Sequence, residues 1–189
     1  MSSETQNPSD HEAELIKYFL DPQILPNLMA MSSLDERNMI FNIAMHTPCI
    51  QNHFIKACIF GNLDIVRKLL HFCTETTWID GYIAAAGSGR IEIVAYLLDC
   101  KTFSVYVRNN QAFLQAAEHG HANMIEWFLN NFNINVDHPD GLPIVRAAQR
   151  DYLNVVQLLK NSVNRDAAIE IAAKNGHQAV VDFLQNLME

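Results

Sequence analysis

Apolar positions fall into short bursts that repeat along most of the chain. Five segments share one register: ACIFGNLDIVRKLL (57–70), AAGSGRIEIVAYLL (85–98), AAEHGHANMIEWFL (116–129), AAQRDYLNVVQLLK (147–160) and AAKNGHQAVVDFLQ (172–185). Each opens with Ala and a small residue, and four of the five carry Gly in the fifth place (Gly61, Gly89, Gly120, Gly176), where the fourth carries Asp151. Two apolar residues follow four places later, as Ile65-Val66, Ile93-Val94, Met124-Ile125, Val155-Val156 and Val180-Val181. A further apolar run precedes each Ala: Phe54-Ile55, Tyr82-Ile83, Phe113-Leu114, Ile144-Val145, and Ile169 with Ile171. Helical spacing on both sides of the fifth place predicts two short helices per unit, joined by a tight turn. Gly suits the left-handed residue that ends a helix, and Asp tolerates that conformation better than most residues.

Neither helix of such a unit can bury its apolar stripe alone, so the units must stack. The small residues in the first two places let neighbouring first helices approach closely. The starting alanines Ala57, Ala85, Ala116, Ala147 and Ala172 stand 28, 31, 31 and 25 residues apart, a period belonging to solenoids rather than to a single packed core. The expected fold is an all-α solenoid of about five helix–turn–helix repeats over residues 49–189.

The unit resembles the ankyrin repeat, whose usual core reads TPLHxAAxxGHxxIVxxLL. His121 and His177 stand at the His of its GH pair, where the family's His bonds local backbone, and Glu92-Ile93-Val94 with Leu97-Leu98 match its second helix. The resemblance covers about residues 50–189. The TPLH tetrad is missing throughout, its nearest counterpart being Leu142-Pro143-Ile144-Val145, and the spacings are shorter than the family's 33. Tetratricopeptide repeats are the main alternative, but their Trp-Leu-Gly-Tyr signature is absent.

Outside the repeats, residues 1–9 are expected to form a disordered tail. Residues 10–48 are expected to form a helical capping element or a degenerate repeat, with Ser9-x-x-Glu12 and Ser33-x-x-Glu36 as capping boxes. Between repeats, the segments 71–79, 99–110 and 130–141 read as loops. Alternation at Phe103, Val105 and Val107 and at Ile134 and Val136 predicts brief extended fingers. The loop 161–166 is too short for one. Trp78, Phe103 and Tyr106 fall in these loops, whereas Trp127, Phe128 and Phe183 occupy core places of second helices.

Composition narrows the function. The chain has 189 residues, is 49% hydrophobic and 18% charged, and carries a net charge of −8. An acidic globular chain is a poor match to phosphate backbones, so no nucleic acid is expected. No apolar run is long enough to span a membrane, and the first residues lack a signal-peptide pattern. Cys49, Cys58, Cys73 and Cys100 match no zinc-site spacing and read as reduced core thiols of a cytoplasmic protein, with a structural disulfide as the alternative. Gly87-Ser88-Gly89 lies at a helix–helix turn and is read as structural, not as a phosphate loop. His119-x-His121 is the only tight His pair and lacks a third metal ligand. His53 and Cys58 could form a base–nucleophile pair, but Cys58 occupies a core place. No catalytic residue, metal or cofactor is expected; the alternative is a small helical enzyme or metal-binding protein using His and Cys.

The ankyrin resemblance implies a non-enzymatic module that binds another protein through its concave face and loop fingers. Contacts in that family come from the loop fingers and from the two variable places after the Ala pair. Here those variable pairs are Ile59-Phe60, Gly87-Ser88, Glu118-His119, Gln149-Arg150 and Lys174-Asn175. The strip runs from greasy through small to polar and partly basic. The expected protein-binding residues are Ile59, Phe60, Ser88, Glu118, His119, Gln149, Arg150, Lys174 and Asn175, with the free protein a monomer. The short, Asn/Ile-rich repeats resemble those of intracellular bacteria and large protist viruses, which implies an effector delivered to a host cell.

Overall fold

The computed structural model describes residues 48–100, 103–137 and 141–187. These form ten α-helices in five pairs: α1 (Pro48–Phe60) with α2 (Leu63–Leu69), α3 (Glu75–Gly87) with α4 (Ile91–Cys100), α5 (Val107–Glu118) with α6 (Ala122–Asn131), α7 (Leu142–Gln149) with α8 (Leu153–Leu158), and α9 (Arg165–Asn175) with α10 (Gln178–Asn186). No strand occurs among the described residues. The first helices form an inner row in which each packs on the next, and the second helices form a looser outer row. The inner row is the tighter because small residues line its contacts: Ala85, Ala86, Ala116, Ala117, Ala147, Ala148 and Ala172 are all fully buried.

One turn is built five times. The fifth-place residue is left-handed in every unit, with φ of 81° at Gly61, 70° at Gly89, 76° at Gly120, 62° at Asp151 and 78° at Gly176. The next residue donates its N–H to the carbonyl of the unit's first Ala, at 2.9 Å for Asn62, Arg90, His121 and His177 and 3.0 Å for Tyr152. In four units the fifth-place N–H bonds the second small residue's carbonyl, at 3.1 Å for Gly89 and Gly176, 3.2 Å for Gly120 and 3.4 Å for Asp151. This double closure satisfies carbonyls that a helix end leaves without partners. It also reverses the chain within a few residues, which sets the second helix against the first.

The apolar run before each Ala supplies the inner core. Phe54, Tyr82, Phe113 and Ile144 are buried, and Val66, Ile93-Val94, Met124-Ile125, Val155-Val156 and Val180-Val181 close it from the outer row. Phe128 is buried at an edge-on contact with Phe113 (5.9 Å), with Trp127 (5.4 Å) and Phe132 packed around it. The last pair keeps this register, with Ala168 and Ala172 buried, but Ile169, at the place of Phe54, Tyr82, Phe113 and Ile144, is only half-buried.

Two expectations about the connections are corrected. Residues 71–79 are not a loop, because α3 begins at Glu75, with Thr74 capping it by accepting the Thr77 N–H at 3.4 Å. Trp78 therefore lies on a helix, where its indole N–H donates to the Leu70 carbonyl at 2.9 Å. The described parts of the longer loops also hold no extended finger. Phe103 packs on the ring of Tyr82 at 5.2 Å, and the Tyr82 hydroxyl donates to the Val105 carbonyl at 3.1 Å, so this loop is drawn onto the core. The chain then enters α5 through three left-handed residues, Arg108, Asn109 and Asn110, and Arg108 pairs with Asp80 of α3. The short fourth loop has no finger, as its length predicts. Its turn is held by Asp137 from the preceding loop, whose Oδ1 accepts from Ser162 Oγ at 2.6 Å and from the Val163 N–H at 2.9 Å. The expectations for residues 1–47 lie outside the described residues.

Candidate functional site

The variable residues after each Ala pair sit at the C-terminal ends of the inner helices. The repeated turn fixes them there, so stacking lines them up into one strip. Ile59 and Phe60 begin it and are 37% and 74% exposed. Phe60 therefore belongs to the surface rather than to the core. Ser88 and Glu118 are half-buried, as is Gln149, and His119, Arg150, Lys174 and Asn175 are exposed.

The polar centre is one connected cluster. Arg150 Nη2 donates to Glu118 Oε1 at 2.9 Å, which ties the fourth unit to the third. The other Glu118 oxygen accepts from Gln115 Nε2 at 3.3 Å. Gln149 Oε1 accepts from Arg146 at 3.3 Å, and its backbone carbonyl accepts from Asn175 Nδ2 at 2.9 Å. His119 donates from Nδ1 to the Gln115 carbonyl at 2.9 Å and stacks on His121, with centroids 6.5 Å apart and planes 17° apart. The structure thus brings Glu118, His119, Gln149, Arg150 and Asn175 together. Ile59 and Ser88 are joined instead by a shallow groove of ≈ 310 Å³, lined also by Ile83, Ala84, Gly87 and His119.

A second row of contacts binds each unit to its predecessor. His121 Nε2 donates to the Gly87 carbonyl at 2.9 Å, and His177 Nε2 to the Gln149 carbonyl at 3.1 Å. These are bonds to the previous unit and not to local backbone, which corrects the expectation carried over from the resemblance. Arg90 does the same from an equivalent place, donating Nε to the Ile59 carbonyl at 2.9 Å. Tyr152 holds that place in the fourth unit and lays its ring on Gly120, so that a Cβ there would meet it at 2.7 Å. The sequence signal was the place itself, immediately after the turn residue; the residue type changes while the reach backward persists.

Burial lowers the His121 pKa; the Gly87 bond opposes this, and the neighbouring His119 and Arg90 charges add to the lowering. A base that holds fewer protons folded than unfolded stabilises the fold fully above the ordinary histidine range, and loses that contribution as pH falls through about 6.5 and below. The urea midpoint is therefore expected to be lower at pH 5.5 than at pH 7.5, with a shallower dependence in His121→Gln. An equal dependence in that variant would assign the effect to other groups.

The Cys58–His53 pairing loses its chemistry here. Cys58 is fully buried, and burial, with Cys73 nearby, pushes its thiol up to about 12, far from a nucleophilic thiolate. Cys58 and Cys73 are free and buried, as core thiols should be, but Cys100 is exposed at the end of α4 and fills no core. Among the described residues no three His, Cys, Asp or Glu side chains gather as a metal set, and no helix is long and apolar enough to cross a membrane.

Compared with known families, residues 54–140 and again 113–188 match the pattern described as "Ankyrin repeats (3 copies)". The chain belongs to the ankyrin-repeat family. Ankyrin repeats generally mediate protein–protein interaction, and the family is typically non-enzymatic. No curated protein matches the chain significantly. Within this ankyrin stack, the Leu place of the missing TPLH tetrad holds a buried aromatic in three units, Phe54, Tyr82 and Phe113.

Proposed function

We propose that this ankyrin stack is a non-enzymatic binding module that holds a partner protein along the strip of Ile59, Phe60, Ser88, Glu118, His119, Gln149, Arg150, Lys174 and Asn175. The observation that supports this most is the cluster centred on the Glu118–Arg150 pair. It spans two units, is open to solvent, and is not needed to close any turn. The half-buried Glu118 and the local hydrogen bonds orient its donors and acceptors before a partner arrives, which lowers the ordering cost of binding. The resemblance to repeats of intracellular bacteria and protist viruses supports a host-cell partner and a role as an effector in the host cytoplasm.

The test is affinity capture from host-cell lysate with the whole chain as bait and a Glu118, His119, Gln149, Arg150 alanine variant as control. Intact folding with lost capture supports the reading. Intact folding with unchanged capture moves the binding surface to the loops or the outer row. Phe60→Ala is expected to leave the melting midpoint nearly unchanged, since surface changes usually stay within about 0.5 kcal/mol, while weakening capture by about 2 kcal/mol or more, as hot-spot aromatics do. A large loss of stability instead would make Phe60 a packing residue.

A further inference from the structure

We infer that the strip is polarised for a linear partner segment that carries an apolar anchor at one end and carboxylates toward the other. The inference rests on the binding reading above and adds the chemistry of what is bound.

The anchor site is the groove over the second unit. Ile59, Ile83, Ala84, Gly87 and Ser88 line it, together with Gln115, His119 and Asp80, whose charge is taken up by Arg108. Gly87 is also what lets the units close up here, because a Cβ on it would meet Gln115 Cβ at 3.2 Å. The space of ≈ 310 Å³ is at the lower limit of ligand pockets and is suited to one side chain. Phe60, next in sequence to Ile59, is exposed and faces a separate hollow with Gly61, Gly89, Arg90 and Ile91.

The opposite end presents cations, with Glu118, Asp151, Asp166 and Glu170 as its acids. Arg146, Arg150 and Lys174 are exposed on or at the ends of α7 and α9. Arg150 is paired with Glu118, but neither Arg146 nor Lys174 has an acidic partner among the described residues. Glu170, one turn before Lys174, and Asp166 are the acids on the same helix. The outer row is net acidic: exposed Asp64, Glu92, Asp99, Glu126 and Asp182 outnumber exposed Arg67 and Lys68. An acidic segment is thus repelled by the outer row and steered to the inner strip. Lys56 is a further exposed cation beside the anchor end and can take an acid that flanks the anchor.

The spacing follows from the stack. Packed helices lie about 8–10 Å apart, so the fourth and fifth units lie about 16–30 Å from the groove. An extended chain covers about 3.3–3.6 Å per residue. The carboxylates should therefore stand about five to nine residues from the anchor.

The probe is a display library of random 16-residue peptides (roughly twice the estimated reach), selected on the whole chain at low salt. The expected result is enrichment of peptides with an aliphatic or aromatic residue and at least two Asp or Glu at that distance. Arg146→Glu with Lys174→Glu should weaken the best peptide at least tenfold. Arg146→Gln with Lys174→Gln, the gentler pair, should do so by a smaller factor. Ser88→Leu, which fills the groove, should weaken it without altering its salt dependence. Circular dichroism checks that each variant is folded. Enriched peptides that lack acids, or that ignore both charge variants, but are lost on the Glu118, His119, Gln149, Arg150 alanine variant overturn the polarity and leave the strip standing. Peptides that bind every variant alike overturn both readings. No enrichment over a bait-free control overturns the linear-segment inference.

Discussion

Gly120→Val is expected to lower the unfolding free energy by about 2–5 kcal/mol. Two costs add. A β-branched residue held at the φ of 76° seen here loses about 1–2 kcal/mol to the clash of Cβ with backbone. The new Cβ also falls within 2.7–2.9 Å of three atoms of the Tyr152 ring, and such overpacking costs about 1–3 kcal/mol unless the ring swings away. If it does swing away, this one ring contact between the third and fourth units is lost instead. Asp151→Gly is the converse change at the same place of the next unit. Asp151 already sits at φ 62° and is exposed, with only a 3.9 Å approach to His177 to lose. That variant should be neutral or slightly stabilised, since relief of strain is set against the greater freedom of Gly in the unfolded chain. Urea midpoints that moved in the opposite order would mean that the left-handed turn is misplaced.

Tyr82→Ala is expected to cost about 3–5 kcal/mol, the range for buried aromatics. Tyr82 is completely buried, touches Phe103, and donates its hydroxyl to the Val105 carbonyl at 3.1 Å. Its burial pushes the phenol well above its ordinary pKa, so it stays a neutral donor. Tyr82→Phe separates the ring from the hydroxyl and should cost only about 0.5–1.5 kcal/mol, the net worth of one hydrogen bond. In a stack whose units contact only their neighbours, the damage should be greatest in the units around α3. Amide exchange would then rise first in α1, α3 and α5. A uniform rise across all five units would show instead that the array opens as one block.

The turn was the most legible part of the sequence, because few residues accept a left-handed backbone. Four glycines and one Asp in register left little choice. The Ala places were equally plain, since only small residues let the inner helices meet. Residues 71–79 were misread for a local reason. The segment lies between two repeats and carries Thr, Glu and Trp without helical periodicity, so the capping signal at Thr74 was overlooked. His121 was found by its place, but the target of its bond was not, because that carbonyl lies 34 residues earlier and comes near only when the units stack. The same holds for the strip. Its members could be named from one unit's pattern, whereas the pairing of Glu118 with Arg150, 32 residues apart, depends on the offset between units. Arg90 shows the limit of matching by residue type: it has no likeness to His in a repeat template, yet it delivers an N–H to the equivalent carbonyl.

The backward reach of Arg90, His121 and His177 defines what could be transplanted from this stack. Cutting at the loops would seem natural, since a helix pair looks like a self-contained cassette. Such a graft would part Gly87 from His121 and Gln149 from His177, leaving a helix end without its cap on one side of the seam and a donor without its carbonyl on the other. The smallest exchangeable part is therefore a junction: the end of one inner helix together with the turn of the unit that follows. A splice anywhere between Ile59 and Gly120, or between Gln149 and Gly176, parts one of these pairs, whereas a splice between His121 and Ala148 parts none of them. Chimaeras joined there should assemble more readily than chimaeras joined within α3, α5 or α9.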